Sequence, residues 1–263
     1  MAVYTHGHHA SVLRSHNTRT VENSAAYLQP HLAPDAHLLD VGAGPGTITV
    51  DFAGRVARVT ATEISDDALA LSRRLAAQRG VTNIDFAVED VHALSFADDT
   101  FDIVHAHQVL QHVGDPVQAL REMRRVVNPG GIVAARDADY AGFIWFPLLP
   151  ELDEWLRLYR AAARLNGGEP DAGRRLLSWA RAAGFTDITA TASTWCYATP
   201  EERAWWGGMW ADRILQSALA IQLEREGLAT RAQLQQISDA WRRWASDGDG
   251  WYLVPHGEIV CRV

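Results

Sequence analysis

The stretch Leu38–Val50, LLDVGAGPGTITV, restricts this chain more than any other. An apolar run containing Asp40 delivers three closely spaced glycines, and a helix-forming segment leaves them. In that strand–loop–helix order, backbone N–H groups face a crevice at the sheet edge, and glycine lets the chain approach a ligand closely. The spacing is G-x-G-x-G at Gly42, Gly44 and Gly46, not the G-x-G-x-x-G of the dinucleotide fingerprint. Pro45 also removes an N–H that a pyrophosphate would use. Two readings stay open from the loop alone: a structural turn, or a pocket for a charged small molecule.

The surrounding pattern predicts an α/β fold. From 36 to 139, short apolar runs alternate with helical periods: HLLDVGAG, VARVTATEIS, IDFAVEDV, FDIVHAHQVL and IVAARDAD read as five strands. Between them, DDALALSRRLAAQRG ends on a glycine stop, and DPVQALREMRRVV is capped by Asp115 with Pro116 at its first position. Strands alternating with helices argue for a parallel sheet covered on both faces. The segment 1–35 reads as an N-terminal helical cap, 36–139 as the binding core, and 140–171 as a helical insertion after strand 5. TDITATASTWCYA reads as a sixth strand, 199–248 as a helical insertion with breaks near Gly207–Gly208 and Gly227, and GWYLVPHGEIVCRV as a seventh strand. All 263 residues read as one domain.

Two acidic residues point to a nucleoside. Glu63 ends the second strand 21 positions after Gly42, where an acid about 20 residues on accepts bonds from ribose hydroxyls. Its other reading is a surface carboxylate at a strand end. Asp90 ends the third strand on the same sheet edge and can accept from an adenine amino group, or cap a turn.

Together, LLDVGAGPGTIT, TATEIS, FAVEDVHALSFADDTFDIVHAHQVLQHVGDP and REMRRVVNPGG resemble the class I S-adenosylmethionine-dependent methyltransferases. The likeness is greatest to the small-molecule group of ubiquinone and menaquinone biosynthesis C-methyltransferases. It covers Leu38 to Asp137 and implies a Rossmann-like seven-stranded, mostly parallel sheet ordered 3-2-1-4-5-7-6, with S-adenosylmethionine as cofactor. By the resemblance, Asp40, Gly42, Ala43 and Gly44 shape the methionine end of the cofactor site. Glu63 holds the ribose with Ile64 beside the adenine, Asp90 and Val91 read the adenine edge, and His107 and Gln108 sit near the methionine and the transferred methyl.

Displacement on a sulfonium carbon needs alignment and exclusion of water, and a general base only where the acceptor is protonated. His107, His8 and His9 are the candidate catalytic bases. By the resemblance, the N-terminal stretch with Tyr4, His6, His8, His9, Arg14, His16 and Arg19 folds over the cofactor and supplies a base, or an arginine such as Arg14 for the methionine carboxylate; its other reading is a frayed terminus with solvated histidines. Tyr4, Trp145, Trp206 and Trp210 are candidate walls for an aromatic or apolar acceptor. No histidine spacing completes a metal site.

The predicted function is methyl transfer from S-adenosylmethionine to a small acceptor, with carbon, oxygen and nitrogen all open. An NAD(P)-dependent oxidoreductase and a non-catalytic S-adenosylmethionine-binding scaffold are the alternatives. A net charge of −8 and the lack of an Asn/Asp-Pro-Pro-Tyr/Phe motif after strand 4 argue against nucleic acid. No apolar run approaches the roughly 18 residues of a membrane span. Two cysteines far apart in sequence and no signal-like N-terminus suit a cytoplasmic monomer or homodimer.

Overall fold

A computed structural model describes residues 18–263 of the chain. Its centre is one twisted sheet built from β1 (His37–Val41), β2 (Arg58–Glu63), β3 (Ile84–Val88), β4 (Phe101–His107), β5 (Val127–Ala138), β6 (Ile144–Phe146), β7 (Asp187–Tyr197) and β8 (Trp251–Arg262). The first five are parallel in the order β3-β2-β1-β4-β5. The long β8 runs antiparallel to β5 on one side and to β7 on the other. The fold is therefore the Rossmann-like α/β class, with β8 and β7 in the places expected of strands 7 and 6.

One strand departs from the seven expected. The three-residue β6 pairs with Trp251–Leu253 of β8, continuing the edge on which β5 pairs with residues 256–262. So short a piece carries no readable alternation, and its sequence passes for the start of the insertion.

Helices cover both faces. The cofactor half has α1 (Val21–Ser24), α2 (Thr47–Ala53), α3 (Asp66–Arg79) and α4 (Pro116–Val126). Local chemistry sets several ends: Gly80 takes a left-handed φ of 66° to stop α3, and Asp115 accepts from the Gln118 N–H to start α4. Before β1, the described residues form α1 and a 3₁₀ turn at Ala26–His31, and residues 1–17 of the expected cap lie outside the described residues.

The other half has α5 (Pro150–Leu165), α6 (Leu176–Ala182), α7 (Pro200–Gln216), α8 (Ala218–Arg225) and α9 (Arg231–Ser246). The expected break at Gly207–Gly208 is absent, since both lie inside α7, which runs on to Gln216. A Cβ on Gly207 would come within 2.7 Å of Ala245 Cβ and 2.8 Å of the Trp241 carbonyl, so the glycine serves helix contact instead of helix termination. The break at Gly227 is present, at a φ of 66°.

The interior falls into separate clusters. Two lie against β1–β5, packed by α1, α2, α4 and α6. The third is aromatic: Trp155, Trp210, Trp241, Trp244 and Tyr252 are all fully buried there, and Trp155 meets Trp210 and Trp241 edge to face at 4.6 and 5.0 Å.

Candidate active site

The glycine loop emerges from the centre of the sheet, where strand order reverses between β1 and β4. Gly42 has a φ of 68°, and a Cβ there would meet Val109 Cγ2 at 2.5 Å. The turn after β1 thus lies hard against the turn after β4. Asp40 ties this corner together: Oδ2 accepts from Thr49 Oγ1 at 2.6 Å, and Oδ1 meets His105 Nδ1 at 2.9 Å.

Glu63 holds the loop from the neighbouring strand. Its Oε1 accepts from the Gly44 N–H at 2.8 Å and its Oε2 from the Ile64 N–H at 3.2 Å. Asp90 Oδ1 accepts from the His92 N–H at 2.9 Å and lies 2.6 Å from His92 Nδ1. The backbone bond from His92 is the main reason its carboxyl sits below the usual range, so it is ionised at neutral pH.

These groups border one cavity of about 560 Å³, within the usual span of ligand pockets. At one end, Ile64, Ala68, Leu71 and Val91 form an apolar slot rimmed by Glu63 and Asp90. Ile64 is 55% exposed although apolar, because it faces this opening. An apolar slot with acidic rims fits a nucleoside: faces for a purine, and acceptors for ribose hydroxyls and an exocyclic amine. At the other end the walls are Tyr140, Phe143, Trp195, Trp206, Trp210 and Val254, with Arg213 beside them.

His107, Gln108 and Arg19 lie between the two ends. Gln108 takes a φ of 54°, rare for a side-chain-bearing residue, and its N–H donates to the Arg136 carbonyl at 2.7 Å. Its Oε1 accepts from Arg19 Nη2 at 2.7 Å, and its Nε2 lies 3.0 Å from His256 Nε2. His107 has no hydrogen-bond partner on either ring nitrogen among the described residues. Burial first, then the nearby Arg19 and Arg136 charges, pushes its pKa well below the ordinary value. His112 is pushed down to about 3 by the same burial. Imidazoles held neutral this strongly are weak bases, so His107 offers the cavity one donor and one acceptor instead of a proton sink.

Trp195 is a built element of this wall. Its indole N–H donates to the Asn23 carbonyl at 2.7 Å, and the Arg136 guanidinium lies 4.8 Å from its ring centroid. Arg136 is itself buried and paired with Glu258 at 3.2 Å, which in turn accepts from Thr191 Oγ1. Arg19 lies over the same indole at 5.8 Å.

Below the β5 end, Asp137 is fully buried, with Oδ1 accepting from the Gln111 N–H at 3.0 Å. Burial raises its carboxyl to about 8. The folded chain then keeps a proton that the unfolded chain releases near pH 4. The stability this group contributes is complete below about pH 4 and is lost as pH rises through about 8. Calorimetric melting across that window should show Asp137→Asn flattening the decline, with equal slopes in both proteins counting against a protonated Asp137.

Of the candidates read from sequence, Asp40, Gly42, Ala43, Gly44, Glu63, Ile64, Asp90, Val91, His107, Gln108, Trp206 and Trp210 all line this cavity. Trp145 is not among the lining residues. It is buried on β6 with its ring stacked on Tyr252 at 5.7 Å, in the aromatic core. Tyr4, His8, His9 and Arg14 lie outside the described residues. Arg19 occupies the cavity wall where an N-terminal arginine was expected. Tyr140, Phe143, Trp195, Arg213 and Val254 also line it, and sequence reading nominated none of them for the site.

Comparison with known proteins agrees with this arrangement. A family model described as a methyltransferase domain matches residues 39–135. An uncharacterized methyltransferase of Schizosaccharomyces pombe is 34% identical over 268 residues, covering 98% of this chain and 95% of that protein. A ubiquinone/menaquinone biosynthesis C-methyltransferase of Bdellovibrio bacteriovorus is 38% identical over 98 residues, 36% of this chain and 41% of that protein. A solved Haemonchus contortus phosphoethanolamine N-methyltransferase, bound to S-adenosyl-L-methionine, shares the fold: its TM-score is 0.55 at 16% identity, over 90% of this chain and 51% of that one. No helix among the described residues is long and apolar enough to cross a membrane. The chain belongs to the class I S-adenosylmethionine-dependent methyltransferases, with S-adenosylmethionine as its cofactor.

Proposed function

We propose that this protein methylates a small aromatic or apolar metabolite held among Tyr140, Phe143, Trp195, Trp206 and Trp210. The observation that carries this reading is the continuity of one cavity from the glycine loop to that aromatic end. In the reading, Glu63 accepts from the ribose hydroxyls, Asp90 and the Val91 backbone meet the adenine edge, Ile64 packs on its face, and Arg19 meets the methionine carboxylate. Bound there, S-adenosylmethionine supplies a methyl group on an electrophilic sulfonium carbon. The chain's own part is positioning and exclusion of water, the effects such a displacement needs most. His107, whose ring nitrogens have no partner among the described residues, presents one donor and one acceptor to the ligands, and its neutrality keeps a second positive charge away from the sulfonium. The free Cys196 and Cys261 suit a reducing, cytoplasmic setting.

The test is calorimetric titration of the protein with S-adenosylmethionine, S-adenosylhomocysteine, NADH and NADPH, followed by a labelled-methyl screen of phenols, quinols and aromatic amines. Saturable binding of the two sulfur compounds, with transfer to at least one acceptor, is expected. Transfer confined to peptides or nucleic acid would remove the small-molecule assignment.

A further inference from the structure

Resting on the reading above, we propose that Arg136 is a positioning residue for methyl transfer: its buried guanidinium seats the Trp195 indole and so fixes one wall of the acceptor chamber. Strand register places the parts. His107 of β4, Arg136 of β5, Glu258 of β8 and Thr191 of β7 stand side by side across the sheet. Side chains alternate along a strand, so Trp195, further along β7, lies on the same face as Thr191. The neighbouring pair on that face, Ala134 and Val260, belongs to an apolar cluster. The row is thus a polar band set into an apolar surface.

Arg136 is 1% exposed and Glu258 5%, and they pair at 3.2 Å. Glu258 also accepts from Thr191 Oγ1 at 2.8 Å and from Ser193 Oγ. Burying such a pair desolvates both charges, and apolar residues of similar volume often serve stability as well or better. Stability alone is therefore a poor reason for it. The guanidinium uses only its Nε–H in hydrogen bonds, to Glu258 and Ser193, and neither Nη group has a hydrogen-bond partner among the described residues. What the rest of the guanidinium meets is the Trp195 indole, with its carbon 4.8 Å from the ring centroid. Burial lowers Arg136 to about 10, which leaves it charged at neutral pH. A cation on an aromatic face away from water is a strong contact, and it sets the plane of the ring.

That ring is a wall of the chamber, whereas Arg136 is not among the described lining residues and acts through the indole. The indole centroid lies 6.0 Å from that of His107 and 4.4 Å from that of His256, which meets it edge to face. A tilt of the indole would therefore change the space beside His107, where the two ligands meet in the proposed reaction.

The experiment compares wild type with two charge-neutral replacements, Arg136→Met with Glu258→Leu and Arg136→Gln with Glu258→Gln, and with Arg136→Lys. The readouts are the Trp195 indole N–H signal in heteronuclear NMR, assigned with Trp195→Phe, and transfer kinetics with the best acceptor of the labelled-methyl screen. Both neutral pairs are expected to stay folded, because neither leaves a lone buried charge. In both, the indole signal should move and its N–H should exchange with solvent about 10-fold or more faster. Acceptor KM should rise by a similar factor with a smaller change in kcat, and S-adenosylhomocysteine affinity should hold. Arg136→Lys keeps the charge and should restore part of both effects. An unmoved indole signal or an unchanged acceptor KM would overturn the proposal. If the Met–Leu pair does not fold, the Gln–Gln pair decides, and unfolding of both would make the ion pair structural and overturn it as well. Absence of transfer to any phenol, quinol or aromatic amine would strike the small-molecule reading instead, while the indole signal still decides whether Arg136 seats the ring.

Discussion

Gly257→Ala is expected to destabilise the protein by about 3 kcal/mol or more, placing it among the severe single substitutions. A Cβ at 257 would lie 2.0 Å from the Gly173 carbonyl oxygen and 2.8 Å from its Cα, so it meets backbone and not a side chain that could swing aside. Neither partner can yield easily. Gly257 pairs with Asp137 of β5 on one side and Ala192 of β7 on the other, so β8 is fixed at that point. The Gly173 turn is fixed by Asp139, which accepts from the Arg174 N–H at 2.9 Å and from its guanidinium at 2.7 and 2.6 Å. Urea denaturation gives the number. Gly248, whose added Cβ would meet nothing within 4 Å, is the matched control and should change little. A loss under about 1 kcal/mol at 257 would mean that the turn slides away from β8 at little cost.

Glu63→Ala is expected to weaken S-adenosylmethionine binding by about 1.5–3 kcal/mol, roughly 10- to 150-fold. Two effects add. The substitution removes the acceptor proposed for the ribose, and it releases the Gly44 N–H that the carboxylate now holds at 2.8 Å. Glu63→Gln keeps one acceptor oxygen and should fall between the two. Calorimetric titration measures the affinity, with melting temperature as the check on folding. Unchanged affinity in a folded Glu63→Ala protein would put the ribose somewhere else in the cavity.

That the glycine loop, Glu63 and Asp90 share one edge of the sheet is legible in the sequence because each part is local. Each carboxylate stands at the end of its own strand, and the strand–loop–helix order alone brings those ends to one edge. The Asp115 cap and the Gly80 stop are likewise decided within a few residues. The aromatic end has no such locality. Tyr140 and Phe143 follow β5, Trp195 comes from β7, Trp206, Trp210 and Arg213 from α7, and Val254 from β8. Only the packing of four elements reveals that they share a chamber. Trp145 illustrates the limit: on β6 it alternates inward between the exposed Ile144 and Phe146, and a tryptophan nominated for ligand contact becomes core. Gly207 illustrates another, since a glycine at a helix contact reads in one dimension like a glycine that breaks a helix.

The separate interiors described above divide the chain along its length. Every buried member of the aromatic cluster lies between Ala138 and Val254, whereas the matched methyltransferase domain ends at residue 135. On the function proposed above, the walls assigned to the acceptor therefore rest on their own cluster, and the glycine loop and its acidic neighbours rest on the other two. On that reading, a substitution among the rings of the aromatic cluster should change acceptor preference while leaving S-adenosylmethionine affinity near its original value.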